Sequence, residues 1–152
     1  MNNSIIKTFH VAGISVRTSN ENGQAMQDIP ALWDRFMAEN IAATIPGKIN
    51  NDLYCVYTDY EKDYTRPYTT LLGCRVSNLE NIPAGMTGKT LTEGNYASFT
   101  ASENLTQGGV YNEWLKIWNT PLERTFTADF EVYGEKAADP ENGEVDIFVA
   151  VK

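Results

Sequence analysis

One residue in this sequence stands where its chemistry is costly. Glu131 lies between Phe130 and Val132 in the apolar run TADFEVYG, residues 127–134. Side chains alternate along a strand, so Phe130 and Val132 take one face and Glu131 and Tyr133 the other. Two placements follow. Either Glu131 sits on a solvated sheet face, or it projects into a groove among aromatic rings. In the groove, an unpaired carboxylate must carry a raised pKa or hold a cation. A cationic ligand would gain both the opposite charge and the ring faces. The same raised acid could serve as a general base.

The rings available are many: 3 Trp, 8 Tyr and 6 Phe. Trp33, Trp114 and Trp118 fall on helical faces that must pack on a sheet, and core packing alone accounts for such a placement. Trp33 and Trp114 would also flank a groove between two such helices. Tyr54, Tyr57, Tyr96 and Tyr133 have strand spacing, and a tyrosine suits a pocket wall because its ring is apolar and its hydroxyl bonds. Other chemistry is thin. His10, the one histidine, lies in the first strand; a Ser-His-Asp or Cys-His arrangement would need it, but a lone strand histidine is usually structural, and no catalytic residue is assigned. Cys55 and Cys74 make no CxxC pair and no metal cluster, and are expected as buried free thiols. The acidic run Asp59, Glu61, Asp63, mixed with Lys62 and Arg66, reads as a solvated turn without calcium-loop spacing. No cofactor and no metal site is expected.

The elements that must position these groups are legible from periodicity. Residues 4–18 read as a strand with a bend or bulge at Gly13, and 86–101 as another with Gly94 inside it, each long enough to bend at its glycine and pair in two places. Residues 29–40 place Ile29, Leu32, Trp33, Phe36 and Met37 on one helical face, with Asp28 as N-cap and Pro30 in the first turn. Residues 110–119 place Val110, Trp114, Ile117 and Trp118 on a second such face, ended by Pro121. Strands are expected at 52–60, 68–76, 127–134 and 144–151. Residues 61–67 form a charged turn, and 137–143 a turn carrying Asp139-Pro140 and Asn142-Gly143.

The order strand, helix, strand, strand therefore occurs twice, over about 1–78 and 84–152. Gly13 matches Gly94 and Trp33 matches Trp114 at an offset of 81. Residues 53–57 match 129–133 at an offset of 76, and 69–76 match 144–151 at an offset of 75. The expected fold class is α+β: tandem duplicated βαββ units forming one antiparallel sheet, with two helices flanking a central groove. Clefts between units are common ligand sites.

At 152 residues the chain suits one domain with a real core. Twelve Lys and Arg against 20 Asp and Glu give a formal charge of −8. Nucleic-acid binders need clustered basic residues to displace phosphate counterions, so direct nucleic-acid binding is not expected. Residues 1–13 carry Lys7 and His10 and no long apolar core, which argues against a signal peptide. No stretch approaches the ~20 apolar residues of a membrane span. A cytoplasmic protein is expected, with homodimerisation and a protein partner left open.

Several stretches together resemble one family. IPALWDRF from Ile29, VYTDY from Val56, LLG from Leu71, EGNY from Glu93, YNEWL from Tyr111 and FEVY from Phe130 are similar, in order and spacing, to GyrI-like proteins, the AraC-type effector-binding domains. The stand-alone members, some carried as mobile gene cassettes, are the nearest in kind. The resemblance implies two βαββ-type units around a groove that takes hydrophobic, often cationic, compounds. It assigns the pocket carboxylate to Glu131 and pocket aromatics to Tyr57, Trp114 and Tyr133; Trp33, from its match to Trp114, and Tyr54, from its strand spacing, are further expected wall residues. A glycine is usual in the family where this chain has Cys55, a departure that adds a side chain at that position. Two other functions occur in the family: hydrolysis of electrophilic natural products by the pocket acid, and inhibition of gyrase as a protein partner.

Overall fold

The computed structural model describes residues 2–102, 108–137 and 143–152. Eight strands form one antiparallel sheet: β1 (Asn2–Ile6), β2 (Phe9–Thr18), β3 (Leu53–Thr58), β4 (Tyr68–Val76), β5 (Thr87–Leu91), β6 (Gly94–Ala101), β7 (Ala128–Tyr133) and β8 (Val145–Val151). Two helices, α1 (Ala25–Ala38) and α2 (Gly109–Trp118), pack on it. The fold is α+β, with the single sheet and two helices that the periodicity calls for. The turn expected around Asp139-Pro140 and Asn142-Gly143 lies, apart from Gly143, outside the described residues.

The strand order is β1-β6-β8-β7-β3-β4-β2-β5. It is symmetric about the β7–β3 junction. There Leu53 pairs with Tyr133, Cys55 with Glu131 and Tyr57 with Asp129. The first strand of each half crosses over: β1 pairs with β6 of the second half, and β5 with β2 of the first. Each expected opening strand is therefore two strands, broken at Lys7-Thr8 and at Thr92-Glu93 rather than at a glycine.

This register corrects the glycine match. Gly13 lies within β2 opposite Gly73, while Gly94 is the first residue of β6. His10 pairs with Val76 and Asn95 with Val151, so the two halves align here at an offset of 95 − 10 = 85, not 81. Gly13 then corresponds to Ser98. Glycine is required at both partners of the Gly13–Gly73 pair. A Cβ on Gly73 would lie 2.0 Å from the Ala12 carbonyl oxygen, and one on Gly13 2.0 Å from that of Leu72.

Helix α1 begins four residues earlier than its apolar periodicity suggests. Asp28 is thus inside the helix rather than its N-cap, and accepts hydrogen bonds from Thr18 Oγ1 at 2.9 Å and Gln24 Nε2 at 3.1 Å. Pro30 likewise lies in the second turn. Leu32 and Phe36 are buried as expected, but Met37 faces solvent at 63% exposure.

The sheet buries both faces. On one, Phe9, Tyr54, Tyr96, Phe130 and Phe148 form an aromatic core. Phe9 of β2 touches Phe130 of β7, with ring centres 5.1 Å apart, across two intervening strands. Only a strongly curled sheet allows that contact. On the other face α1 packs over β2 and β4 through Leu32, Phe36, Ile14 and Leu72. Helix α2 packs over β6 and β8 through Trp114, Ile117, Ala101 and Ile147. The central strands β3 and β7 lie beneath the gap between the helices.

Candidate ligand-binding site

That gap is a cavity of about 560 Å³. Its size falls within the range of small-molecule sites. Trp33, Ile29 and Met26 line it from α1, Val110, Trp114 and Trp118 from α2, and Tyr57, Glu131 and Tyr133 from β3 and β7. Strand alternation explains the floor. Tyr57, Glu131 and Tyr133 point to the helix side, while Val56, Phe130 and Tyr54 point into the opposite aromatic core.

Tyr54 is therefore corrected. It does not line the cavity but packs at a tilt against Phe9 and Phe130 on the far face. It precedes Cys55, which is in register with Glu131, so alternation sends it the other way. The other five expected residues, Glu131, Tyr57, Trp114, Tyr133 and Trp33, are brought together around the cavity.

Glu131 is 1% exposed. Its Oε2 accepts from Trp114 Nε1 at 2.6 Å and from Tyr57 Oη at 2.8 Å, and its Oε1 from Tyr133 Oη at 2.6 Å. All three donors are neutral. Burial pushes the carboxyl above its ordinary range, and the bonds from Tyr133, Trp114 and Tyr57 pull it part of the way back. The tyrosines respond in the opposite sense. Burial and the neighbouring carboxylate hold both Tyr57 and Tyr133 well above the ordinary phenol range, so both remain donors.

The rings repeat the symmetry of the sheet. Trp33 of the first half meets Tyr133 of the second edge-on, at 4.7 Å and 70°. Trp114 of the second meets Tyr57 of the first at 5.6 Å and 88°. The symmetry breaks at the centre, where Glu131 faces Cys55. Cys55 is a buried free thiol, pushed up by burial and by the Glu131 charge, and is packed in the α1-side core. Cys74 is likewise buried and free.

The strand pattern alone left out part of the wall. Tyr60, Tyr64, Tyr68, Asn20, Asp34 and Arg124 also line the cavity. Tyr64 comes from the charged turn and stacks on Trp118 with centres 5.1 Å apart and planes 7° apart. Asp129 lies behind the wall, completely buried, and pairs with Arg124 Nη2 at 2.7 Å. Asp129 carried a readable signal, since it shares the Glu131 face two residues earlier. Arg124 carried none, because it lies between elements. Among the described residues no group of three or more His, Cys, Asp and Glu is placed to hold a metal ion, and no helix is long and apolar enough to cross a membrane.

Comparison with known proteins agrees with this architecture. The model of the family Cass2, integron-associated effector binding protein, matches residues 5–151. YobU of Bacillus subtilis (strain 168), which bears a transcriptional-regulator name, is 32% identical over 145 residues, covering 93% of this chain and 91% of its own. The integron cassette protein VCH_CASS2 from the mobile metagenome of Vibrio cholerae is 29% identical, with a TM-score of 0.78 over 99% of this chain and 95% of its own. SAV2435, solved bound to tetraphenylphosphonium, superposes with a TM-score of 0.81 at 18% identity, over 99% of this chain and 93% of its own.

Proposed function

The chain belongs to the integron-associated effector-binding protein family, and from that premise we propose that it binds lipophilic organic cations in the cavity over Glu131. The observation that carries this reading is the charge arrangement. A fully buried carboxylate lies in a ring-lined cavity, and its three hydrogen-bond partners among the described residues are all neutral. Neutral donors orient the charge without cancelling it. A cation entering the cavity supplies the missing opposite charge and meets the faces of Trp33, Trp114 and Tyr57. The phosphonium ligand of SAV2435 is of this chemical type.

Five of the positions first singled out take roles on this reading. Glu131 supplies the charge, Tyr57 and Tyr133 hold it in place, Trp114 both holds it and forms a wall, and Trp33 closes the opposite wall. The ligand is small and hydrophobic, and the reaction is binding rather than turnover. The test is calorimetric titration with tetraphenylphosphonium against wild type and Glu131→Gln. Tight binding lost in the variant supports the reading. Equal binding by both would remove Glu131 from it.

A further inference from the structure

Arg124 is the least satisfied polar group in the cavity wall. Its side chain is 6% exposed. Nη2 donates to Asp129 Oδ2 at 2.7 Å, but Nε and Nη1 are buried and have no hydrogen-bond partner among the described residues. The guanidinium is surrounded by rings. Its carbon lies 4.3 Å from the centre of Phe126, 5.7 Å from Tyr64 and 5.9 Å from Trp114. Ring faces offset part of the charge, yet they are poor acceptors for the N–H groups, which lie in the guanidinium plane. Phe126 is held against the guanidinium by a left-handed backbone, φ 53°, a conformation costly for an aromatic residue. The fold thus accepts local strain while leaving two donors unmatched beside a ligand-sized space.

We propose that Arg124 is a second recognition point, for a neutral acceptor oxygen (a carbonyl or ether) carried on the same ligand whose cation sits over Glu131. This rests on the cation reading of the cavity and adds a substituent requirement to it. A neutral oxygen, rather than a carboxylate, follows from the surrounding charges. Asp129 accepts from Arg124, Tyr60 and the Ala150 amide, the pattern of an ionised carboxylate, so the Arg124 charge is already matched. Glu131 projects from the same face two residues along, and would repel an anion. Neither free nitrogen is open to solvent. For an oxygen to reach them a wall ring has to move on binding, and on this assignment that ring is Tyr64 of the 61–67 turn, which lies beside both the cavity and the guanidinium.

The test uses two probes: tetraphenylphosphonium, and the same ion with a para-acetyl group on one ring. In wild type the acetyl compound binds about tenfold more tightly, the worth of one hydrogen bond from a charged donor that otherwise has no partner. In Arg124→Met that ratio falls to about one. Glu131→Gln weakens both probes together and leaves the ratio in place. Should Arg124→Met strand Asp129 and fail to fold, Arg124→Met/Asp129→Asn removes both charges, and the same loss of ratio is expected. Equal affinities in wild type, or a ratio retained without Arg124, would overturn the assignment while leaving the cation site standing. Failure of wild type to bind the parent ion would overturn both.

Discussion

Replacing Glu131 with glutamine removes one charge and almost nothing else. Trp114 Nε1 can only donate, so the glutamine oxygen must take the Oε2 position, where it still accepts from Trp114 and Tyr57. Its amide then donates to Tyr133 Oη, whose hydroxyl turns to accept. All three contacts survive. Hydrogen bonds to a charged group contribute about 1.5–3 kcal/mol each, and burying a carboxylate costs several kcal/mol. The raised Glu131 carboxyl says that burial outweighs what those bonds give the charge, so the uncharged variant is at least as stable as before. Ligand binding responds differently. A cationic centre about 5 Å from the carboxylate, at an effective dielectric of about 20, gains about 3 kcal/mol. Dehydration of both ions takes back part of that, so the expected loss of affinity is between about tenfold and about a hundredfold. Calorimetry with tetraphenylphosphonium at pH 8 measures the loss, and thermal unfolding checks the fold. A Kd within about twofold of wild type, in a variant that still folds, would refute the reasoning.

Three further outcomes follow from the same geometry. Because the Glu131 carboxyl is raised by burial, the folded state holds its proton more tightly than the unfolded chain. The stability tied to that proton is present below the ordinary carboxyl range and is lost as pH rises through the raised value. Glu131→Gln should therefore gain stability over wild type across that window, and phosphonium affinity of wild type should rise over the same window; parallel denaturant and binding titrations from acid to neutral pH read both. Trp114→Phe deletes the 2.6 Å bond to Oε2, which should raise the Glu131 carboxyl further and move the midpoint of the affinity–pH curve to higher pH. It should also weaken binding at neutral pH roughly fivefold. Gly73→Ala pushes a methyl group into the Ala12 carbonyl and should destabilise the fold by about 3 kcal/mol or more, measured by urea denaturation.

The fold was legible where periodicity was long and uninterrupted. Helix α2 and strands β3, β4, β7 and β8 lie within a residue or two of their apolar patterns. Boundaries set by tertiary contacts were not. The first turn of α1 does continue the apolar stripe through the buried Ala25, but the glutamine and aspartate after Met26 obscure it, and contacts such as Thr18 to Asp28 hold that turn in the helix. The length of each opening strand already indicated pairing in two places, and that pairing is found; the break points at Lys7-Thr8 and Thr92-Glu93, rather than at the glycines, are what no local pattern records. Gly13 is needed for close approach to Gly73, not for a bend.

The site was legible on the strands, where alternation alone places Glu131, Tyr57 and Tyr133 on one side. The same rule sends Tyr54 to the other face once the register with Glu131 is known. The wall contributed by Arg124 and Tyr64 comes from irregular segments, whose side-chain directions depend on the folded path of the backbone.

A crystal structure of the protein with tetraphenylphosphonium tests the central claim most directly. The phosphorus should lie in the cavity between Trp33 and Trp114 with Glu131 as the nearest charged group, its carboxylate still held by Tyr57, Tyr133 and Trp114. A phosphonium seated elsewhere on the surface, or in the cavity with Glu131 turned away from it, would contradict the account.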